Sequence, residues 1–309
     1  MLTSWAKQGG TAETCVFVLL LGRERMFLRF RIEKGGVSMK TIVFVGAGSM
    51  AQAMIHGWMK EATVAPENVY VMNKSDQEKL ASLNETYGVQ LVCEKKEILK
   101  TADLVILAMK PKDVQAGMNS IATYLPTTAV VLSILAGVPM NTIEQGLGKR
   151  PIARCMPNTS ATIGMSASAI AWNERMESND KTEIIELLKT IGSVIEVEED
   201  ELHVITALSG SGPAYVYYFV EAFEKAAVAS GLSAQVARNL LVQTIAGSAE
   251  MLKQSNETPS TLRKQVTSPG GTTEAGIEAL QNSGFSDMLA RCLNDAETRS
   301  RELGKRYIK

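Results

Sequence analysis

Histidine is nearly absent from this chain of 309 residues, which holds only His56 and His203. Its four cysteines, Cys15, Cys93, Cys155 and Cys292, lie far apart and form no CxxC pair. A structural zinc site needs several such ligands at close spacing, so no metal site is expected. Two histidines also argue against a Ser-His-Asp hydrolase. The cysteines read as free thiols of a reducing cytosol, which makes a cytoplasmic location the expectation. An excess of charge of one sign is lacking too. The formal net charge of −1 argues against nucleic acid or an anionic membrane surface as a partner. The early apolar run Val16 to Leu21 falls well short of the about 20 residues that span a bilayer. Arg23, Arg25, Arg29 and Arg31 follow that run instead of preceding it, which is the wrong order for a signal peptide.

What is present is the composition of a soluble globular enzyme, 45% apolar and 21% charged. The length suits two domains better than one. Residues 1–38 read differently from the rest. Glu33-Lys34-Gly35-Gly36, a few codons before Met39, is what a translated purine-rich ribosome-binding site would encode. The expectation is therefore a natural start at Met39, with residues 1–38 a non-native or disordered extension.

Residues 39–198 read as a nucleotide-binding domain. Thr41-Ile42-Val43-Phe44-Val45 is β-branched and apolar, as a strand should be. It runs straight into Gly46-Ala47-Gly48-Ser49-Met50-Ala51 and a helix to Met59. This is the G-x-G-x-x-G/A arrangement in its strand–turn–helix context. The first glycine makes the tight turn, the second leaves room for a pyrophosphate, and the small third residue packs helix on strand. A second strand, Val69 to Met72, ends where an NAD site usually places Asp or Glu. Asn73-Lys74-Ser75 stands there instead. A cation with small polar groups suits a 2′-phosphate, so NADPH is the preferred cofactor and NADH the alternative. Lys74 could equally be a solvated charge at a strand end, and Asp76 is near enough to keep that reading open.

The alternation continues with a helix closing over Leu83 to Gly88, a strand at Val89 to Val92 and a helix at Glu94 to Thr101. Leu104 to Ala108 and Val130 to Leu135 are continuous apolar runs, the signature of strands buried on both faces. Ile152 to Cys155 and Ala167 to Ala171 supply further strands. Ligands of open parallel sheets bind at the carboxyl ends of the strands. That rule points to Lys110, Pro111, Ala136 and Gly137 as walls of the nicotinamide side. Met156-Pro157-Asn158-Thr159 holds the same position after its strand and reads either as part of that wall or as a structural turn.

Residues 199–309 read as helical. The transition begins with Ile184, Leu187, Leu188 and Ile191 at helical spacing, then a last strand at Ser193 to Val197. Helices follow over Glu199 to Leu208, Ala214 to Ser230, Ser233 to Leu252 and Ser286 to Leu303, the first two separated by a Ser-Gly-Ser-Gly-Pro break. The stripe Tyr215, Tyr217, Tyr218, Phe219 and Phe223 reads as core or subunit interface. An all-helical domain of this length buries little core alone, so pairing with a second copy is expected. Within it lies Thr267-Ser268-Pro269-Gly270-Gly271-Thr272-Thr273. Gly270 and Gly271 let the backbone turn sharply and approach a ligand. Free amides at the start of the following helix favour a carboxylate or phosphate. The fold class is α/β plus all-α: a Rossmann-like doubly wound domain followed by a helical dimerisation and substrate domain.

With Gly46-x-Gly48, Ala108-Met109-Lys110-Pro111, Leu208-Ser209-Gly210-Ser211-Gly212-Pro213-Ala214-Tyr215 and Ser268-Pro269-Gly270-Gly271-Thr272-Thr273 in order, the chain resembles the pyrroline-5-carboxylate reductase family over about residues 39–305. The two helical-domain motifs are specific to that family; the glycine fingerprint is not. The resemblance implies interlocked dimers, rings of dimers, and the last step of proline synthesis: hydride transfer from a nicotinamide cofactor to the C=N carbon of Δ1-pyrroline-5-carboxylate. It implies that Val45, Gly46, Ala47, Gly48, Ser49 and Met50 hold the pyrophosphate, with Asn73 and Lys74 beside the adenosine ribose. Ala108, Met109, Lys110, Pro111, Ile134, Leu135 and Ala136 would line the nicotinamide ribose. On the substrate side it points to Glu199, Gln265, Thr272 and Thr273, together with Ser268, Gly270 and Gly271 of the loop. The substrate chemistry agrees. One carboxylate needs an anion site, and a protonated imine needs little beyond positioning and a partner for its nitrogen. The Thr273 hydroxyl is the candidate partner and the candidate catalytic group. A hydroxyl is a poor acid, so the proton comes from solvent or is carried in by the iminium.

Some positions depart from the family pattern. Lys95 stands where an asparagine commonly meets the ribose, Ser160 replaces a common proline, and His203-Val204 replace an acidic residue and alanine. Both histidines read as packing residues. Two rival readings remain. A β-hydroxyacid or related imine reductase of the same architecture would need Lys253 or Lys264 as its lysine, and neither sits in a glycine-flanked helix motif. A regulatory nucleotide-binding paralogue should have lost the substrate loop, which is intact here.

Overall fold

The structure, a computed structural model, describes residues 13–21, 24–32, 37–74, 76–92 and 96–307. Ser75, Cys93, Lys95 and part of the 1–38 segment lie outside the described residues. The chain divides into two compact units, the first ending at Glu199 and the second running Asp200–Tyr307.

The first unit begins with a two-stranded antiparallel ladder, β1 (Glu13–Leu21) and β2 (Glu24–Ile32), with Leu21 opposite Glu24. Its main body alternates strand and helix. In order these are β3 (Ile42–Val45), α1 (Ser49–Lys60), β4 (Val69–Met72), α2 (Gln77–Tyr87), β5 (Gln90–Leu91), β6 (Leu104–Leu107), α3 (Val114–Asn119), β7 (Val130–Ser133), α4 (Met140–Leu147), β8 (Ile152–Met156), β9 (Ser166–Trp172), α5 (Ser178–Lys189) and β10 (Gly192–Glu196). The helix expected over 94–101 is, in its described part, a 3-10 helix at Lys96–Thr101.

The eight strands β3 to β10 form one sheet in the order β10-β9-β8-β7-β6-β3-β4-β5. β3, β6, β7 and β8 are buried along their whole length, which is why β3, β6 and the start of β7 run apolar without alternation. β3 pairs in parallel with β4 on one side and β6 on the other. Chain growth reverses there, so the β3–β6 boundary is the topological switch point at which open α/β sheets bind ligands. β8 and β9 pair antiparallel before the parallel sense resumes in β10. The connection between them, residues 157–165, holds only a 3-10 turn, too short for the crossover a parallel pair demands.

Helix α1 locks onto this sheet through its largest side chain. Trp58 is fully buried, with its ring 5.2 Å from that of Phe44 on β3. Its indole N–H donates to the Leu187 carbonyl of α5 at 2.9 Å, satisfying the one polar atom such a residue brings into a core. The entry of β3 is held by carboxylates from two other elements. Glu183 accepts the Ser38 and Met39 amides at 3.0 and 3.1 Å, and Asp103 accepts those of Lys40 and Thr41 at 2.8 and 3.0 Å.

The second unit is helical: α6 (Leu202–Ile205), α7 (Gly212–Ala229), α8 (Ala234–Gln254), α9 (Pro259–Gln265), α10 (Thr272–Asn282) and α11 (Phe285–Lys305). Between α6 and α7 the backbone widens to a π turn at Thr206–Gly210, where Ser211 donates to the Thr206 carbonyl at 2.8 Å. The serine and glycine residues of that segment tolerate the widened geometry, which often marks functional positions. His203 bonds Ser300 of α11 through Nδ1 at 2.9 Å, a packing role. Arg301 of α11 grips Asp200 with two bonds of 2.6 and 2.9 Å and holds its carboxyl below the usual carboxylate range. Few apolar side chains of this unit are buried: Leu202, Ala207 and Ala237. Tyr217, Tyr218, Leu240, Val242, Met288 and Leu289 stand exposed. Among the described residues no helix is long and apolar enough to cross a membrane.

Candidate active site

The residues expected to hold a cofactor line up along one edge of the sheet of the first unit. Backbone bonds carry the ladder past the strand ends. The Gly46 amide donates to the Met72 carbonyl at 2.8 Å, the Ala108 amide to Val45 at 2.9 Å, and the Ile134 amide to Leu107 at 3.2 Å. Four strand exits, at Val45–Gly46, Met72–Asn73, Leu107–Ala108 and Ser133–Ile134, are thereby stitched side by side.

The two glycines of the fingerprint have different reasons to exist. Gly46 sits at φ +111°, and a Cβ there would lie 2.6 Å from both Ala108 C and Met109 N. The neighbouring exit, backbone against backbone, forbids any side chain. Gly48 has an ordinary φ of −68°, and a Cβ there would meet only the Ala108 carbonyl oxygen at 3.4 Å. The protein itself would admit a methyl at Gly48, so the open space there is free for a ligand. Gly48 is also the N-cap of α1, with no side-chain cap. The first amide of α1 to find a backbone acceptor is that of Gln52. Ser49, Met50 and Ala51 thus offer free N–H groups beside an open cradle, which fits a pyrophosphate.

At the exit of β4, Lys74 is exposed. Asp76, the nearby acid, is occupied: its carboxylate caps α2 by accepting the Lys79 amide at 2.9 Å. A carboxylate so engaged is poorly placed to take a ribose hydroxyl, whereas the exposed cation suits a phosphate. At the exit of β6, Lys110 and Pro111 start a 3-10 turn, with the Asp113 amide closing on Lys110 at 2.9 Å. Ile134, Leu135 and Ala136 begin the loop from β7 to α4. After β8, the Asn158 side chain accepts the Ser160 amide at 3.1 Å, and the Asn158 amide donates to the Ser166 hydroxyl. The bond to Ser160 uses an N–H that a proline would lack, so this segment behaves here as a structural turn. Cys155 on β8 is fully buried, and burial pushes its thiol well up, which makes it a poor nucleophile.

Glu199, expected on the substrate side, falls in the first unit. Its Oε1 accepts Arg154 Nη1 at 2.7 Å and the Met140 amide at 2.8 Å. The other substrate-side residues cluster in the second unit. Gln265 ends α9, Gly271 is the N-cap of α10, and Thr272 and Thr273 are its first two residues. Gly270 turns the loop at φ +71°. Its amide is already taken by Glu274 Oε2 at 2.7 Å, and the Gly271 amide by the Ser268 carbonyl at 3.0 Å. Glu274 thus narrows the anion site relative to the sequence reading, leaving the Thr272 and Thr273 amides and their exposed hydroxyls to face a ligand. A cavity of about 280 Å³ nearby is lined by Arg263, Lys264, Thr267 and Glu274 among others, and by neither Thr272 nor Thr273.

Sequence reasoning missed Arg154, whose signal was a lone cation inside an apolar strand, and the internal use of the Gly270 amide, which has no sequence signal.

Comparisons with known proteins bear on the family and the fold. Residues 199–303 match the family model described as pyrroline-5-carboxylate reductase dimerisation, and residues 41–137 match that of the coenzyme F420-dependent NADP oxidoreductases. Pyrroline-5-carboxylate reductase 2 of Bacillus subtilis is 44% identical over 270 residues, covering 87% of this chain and 97% of the relative. The solved pyrroline-5-carboxylate reductase of Coxiella burnetii superposes with a TM-score of 0.80 at 34% identity, over 86% of this chain and 99% of that one. The Plasmodium falciparum pyrroline carboxylate reductase, solved with NADP bound, gives a TM-score of 0.76 at 28% identity, over 87% of this chain and 100% of that one. On sequence, motif order and fold together, the chain belongs to the pyrroline-5-carboxylate reductase family.

Proposed function

We propose that the protein reduces Δ1-pyrroline-5-carboxylate to L-proline, the last step of proline biosynthesis, with NADPH as the preferred hydride donor and NADH as the alternative. The observation that carries this reading is the start of α10, where Thr272 and Thr273 present free amides and exposed hydroxyls while the Gly270 and Gly271 amides are taken within the loop and its helix. The helix start binds the substrate carboxylate, since its N–H groups and the helix dipole favour an anion. The Thr273 hydroxyl bonds the ring nitrogen and fixes the face of the C=N bond. NADPH supplies the hydride when bound. The Gly46–Met50 turn takes its pyrophosphate, Asn73 and Lys74 its adenosine ribose phosphate, and Ala108 to Pro111 with Ile134 to Ala136 the nicotinamide ribose. With the imine protonated, positioning does most of the work, so a site poor in histidine suffices. The nitrogen's proton arrives from solvent or with the iminium.

On this reading residues 39–198 bind cofactor and 199–309 bind substrate and dimerise. The dimers assemble further into rings, and the enzyme works in the cytoplasm. The test is cofactor oxidation with pyrroline-5-carboxylate, run with NADPH and NADH in parallel. Turnover with NADPH above NADH is expected; no turnover with either refutes the proposal.

A further inference from the structure

Arg154 is a cation in the middle of a sheet. It lies on β8, paired with Ser133 of β7 and Ala171 of β9, and its side chain is 4% exposed. A guanidinium in that position is costly unless a counter-ion meets it. The counter-ion is Glu199, from 45 residues further on, at 2.7 Å. The same Glu199 oxygen accepts the Met140 amide at 2.8 Å. Met140 opens α4, whose N-cap, Pro139, supplies no side-chain acceptor. A carboxylate remote in sequence therefore does the work of a local cap.

This arrangement pins a loop. The β7–α4 connection is held at its first residue by the Ile134 bond to Leu107 and at its far end by the Glu199 bond to Met140. Between these anchors run Leu135 to Pro139. Removing the Arg154 guanidinium takes away the cation that holds the Glu199 carboxylate against the Met140 amide, and with it the second anchor.

We propose that Arg154 is a positioning residue for the reaction: through Glu199 it sets the loop 134–139 that walls the nicotinamide half of the cofactor crevice. The proposal rests on the assignment of that loop to the nicotinamide side. Arg154→Met removes the charge at similar length, and Arg154→Lys keeps charge but loses the planar fork. The readouts are NADPH-binding stoichiometry, the emission of bound NADPH, and kcat. For Arg154→Met, unchanged stoichiometry is expected, with emission displaced towards that of free NADPH and kcat lowered about tenfold or more, as misplacement of a reacting group costs. Arg154→Lys should recover part of both signals. Wild-type emission and kcat in Arg154→Met overturn the proposal. So does a loss of kcat that only tracks a loss of binding-competent chains, the mark of a purely structural role. Should Arg154→Met not fold, Arg154→Lys decides alone: wild-type emission and kcat there reject the role. Emission needs no substrate, so failure of wild-type turnover with pyrroline-5-carboxylate would reject the proposed function while leaving this test in force.

Discussion

Replacing each fingerprint glycine by alanine separates what the fold demands from what the ligand demands. At Gly46 the new methyl would sit 2.6 Å from the 108–109 peptide, with φ at +111°. The clash is with backbone on a paired strand exit, so relief requires moving the β3 turn against β6. Strained φ contributes about 1–3 kcal/mol and overpacking a further ~1–3 kcal/mol. A midrange loss of about 4 kcal/mol corresponds to a fall in Tm of roughly 8–16 °C for a domain of this size. At Gly48 the φ of −68° suits any residue and the one close atom is 3.4 Å away. Gly48→Ala should shift stability by no more than about 0.5 kcal/mol, as surface substitutions do. It should nevertheless cost one or more charge-assisted bonds to the pyrophosphate, about 1.5–3 kcal/mol each, or roughly a ten- to hundredfold loss of NADPH affinity. Thermal unfolding and NADPH fluorescence titration read the two quantities separately. Wild-type NADPH affinity in a folded Gly48→Ala chain would refute the pyrophosphate assignment. An unchanged Tm in Gly46→Ala would refute the backbone argument.

Other perturbations test other parts of the molecule. Thr273→Ala should lower turnover with pyrroline-5-carboxylate by about tenfold or more, the cost of a lost positioning bond, while the NADPH dissociation constant stays put; parallel loss of both contradicts its role. Lys74→Glu should move preference from NADPH towards NADH in the paired cofactor assay, and an unchanged ratio removes Lys74 from the phosphate site. Asp200 is held below the usual carboxylate range, first by its hydrogen bond to Arg301. A lowered acid stabilises the fold above its ordinary titration range and loses that contribution as pH falls through its folded-state value. Arg301→Gln should therefore be less stable than wild type near neutral pH, with the gap closing in strong acid. A gap independent of pH would mean that packing, not charge, sets it.

The parts of this molecule that follow local rules were legible in the sequence. Strands β3, β6 and β7 announced themselves as apolar runs because they are buried on both faces, and the turn at Gly46 because glycine has few other reasons to precede such a helix. What escaped reading depends on contacts between residues far apart in the chain. Nothing near Arg154 names Glu199 as its counter-ion, and nothing near Pro139 says that α4 will borrow a cap from residue 199. The reason for Gly46 was also partly hidden, since the exit of β6 forbids a side chain there whether or not a cofactor binds. The segment read as one helix from Glu199 to Leu208 is a 3-10 turn, one short α turn and a π turn in succession. Periodicity cannot distinguish these at such lengths, because each shifts the repeat by less than a residue per turn. At the loop 267–273 the residue types led to the expectation of an anion site, yet Glu274 one turn along accepts the Gly270 amide that composition alone would leave free.

The second unit raises a question of stability that the loop chemistry depends on. α7 and α8 are long, yet Ala237 is the one hydrophobic residue on either that is buried among the described residues, while Tyr218 is 72% and Leu240 59% exposed. Folding a chain of this size requires apolar burial to offset the loss of backbone and side-chain freedom, and this unit alone supplies little of it. The missing burial has to come from association, in agreement with the match of residues 199–303 to the family's dimerisation region. Self-association is then part of the folding free energy of the helical unit rather than an accessory to it, and the order of the Gly270–Thr273 loop, carried at the start of α10, inherits that dependence. The first unit, with Trp58 and its fully buried strands, has a core of its own. Dilution should accordingly loosen substrate binding well before it loosens cofactor binding, because mass action bears on the helical unit and not on the sheet.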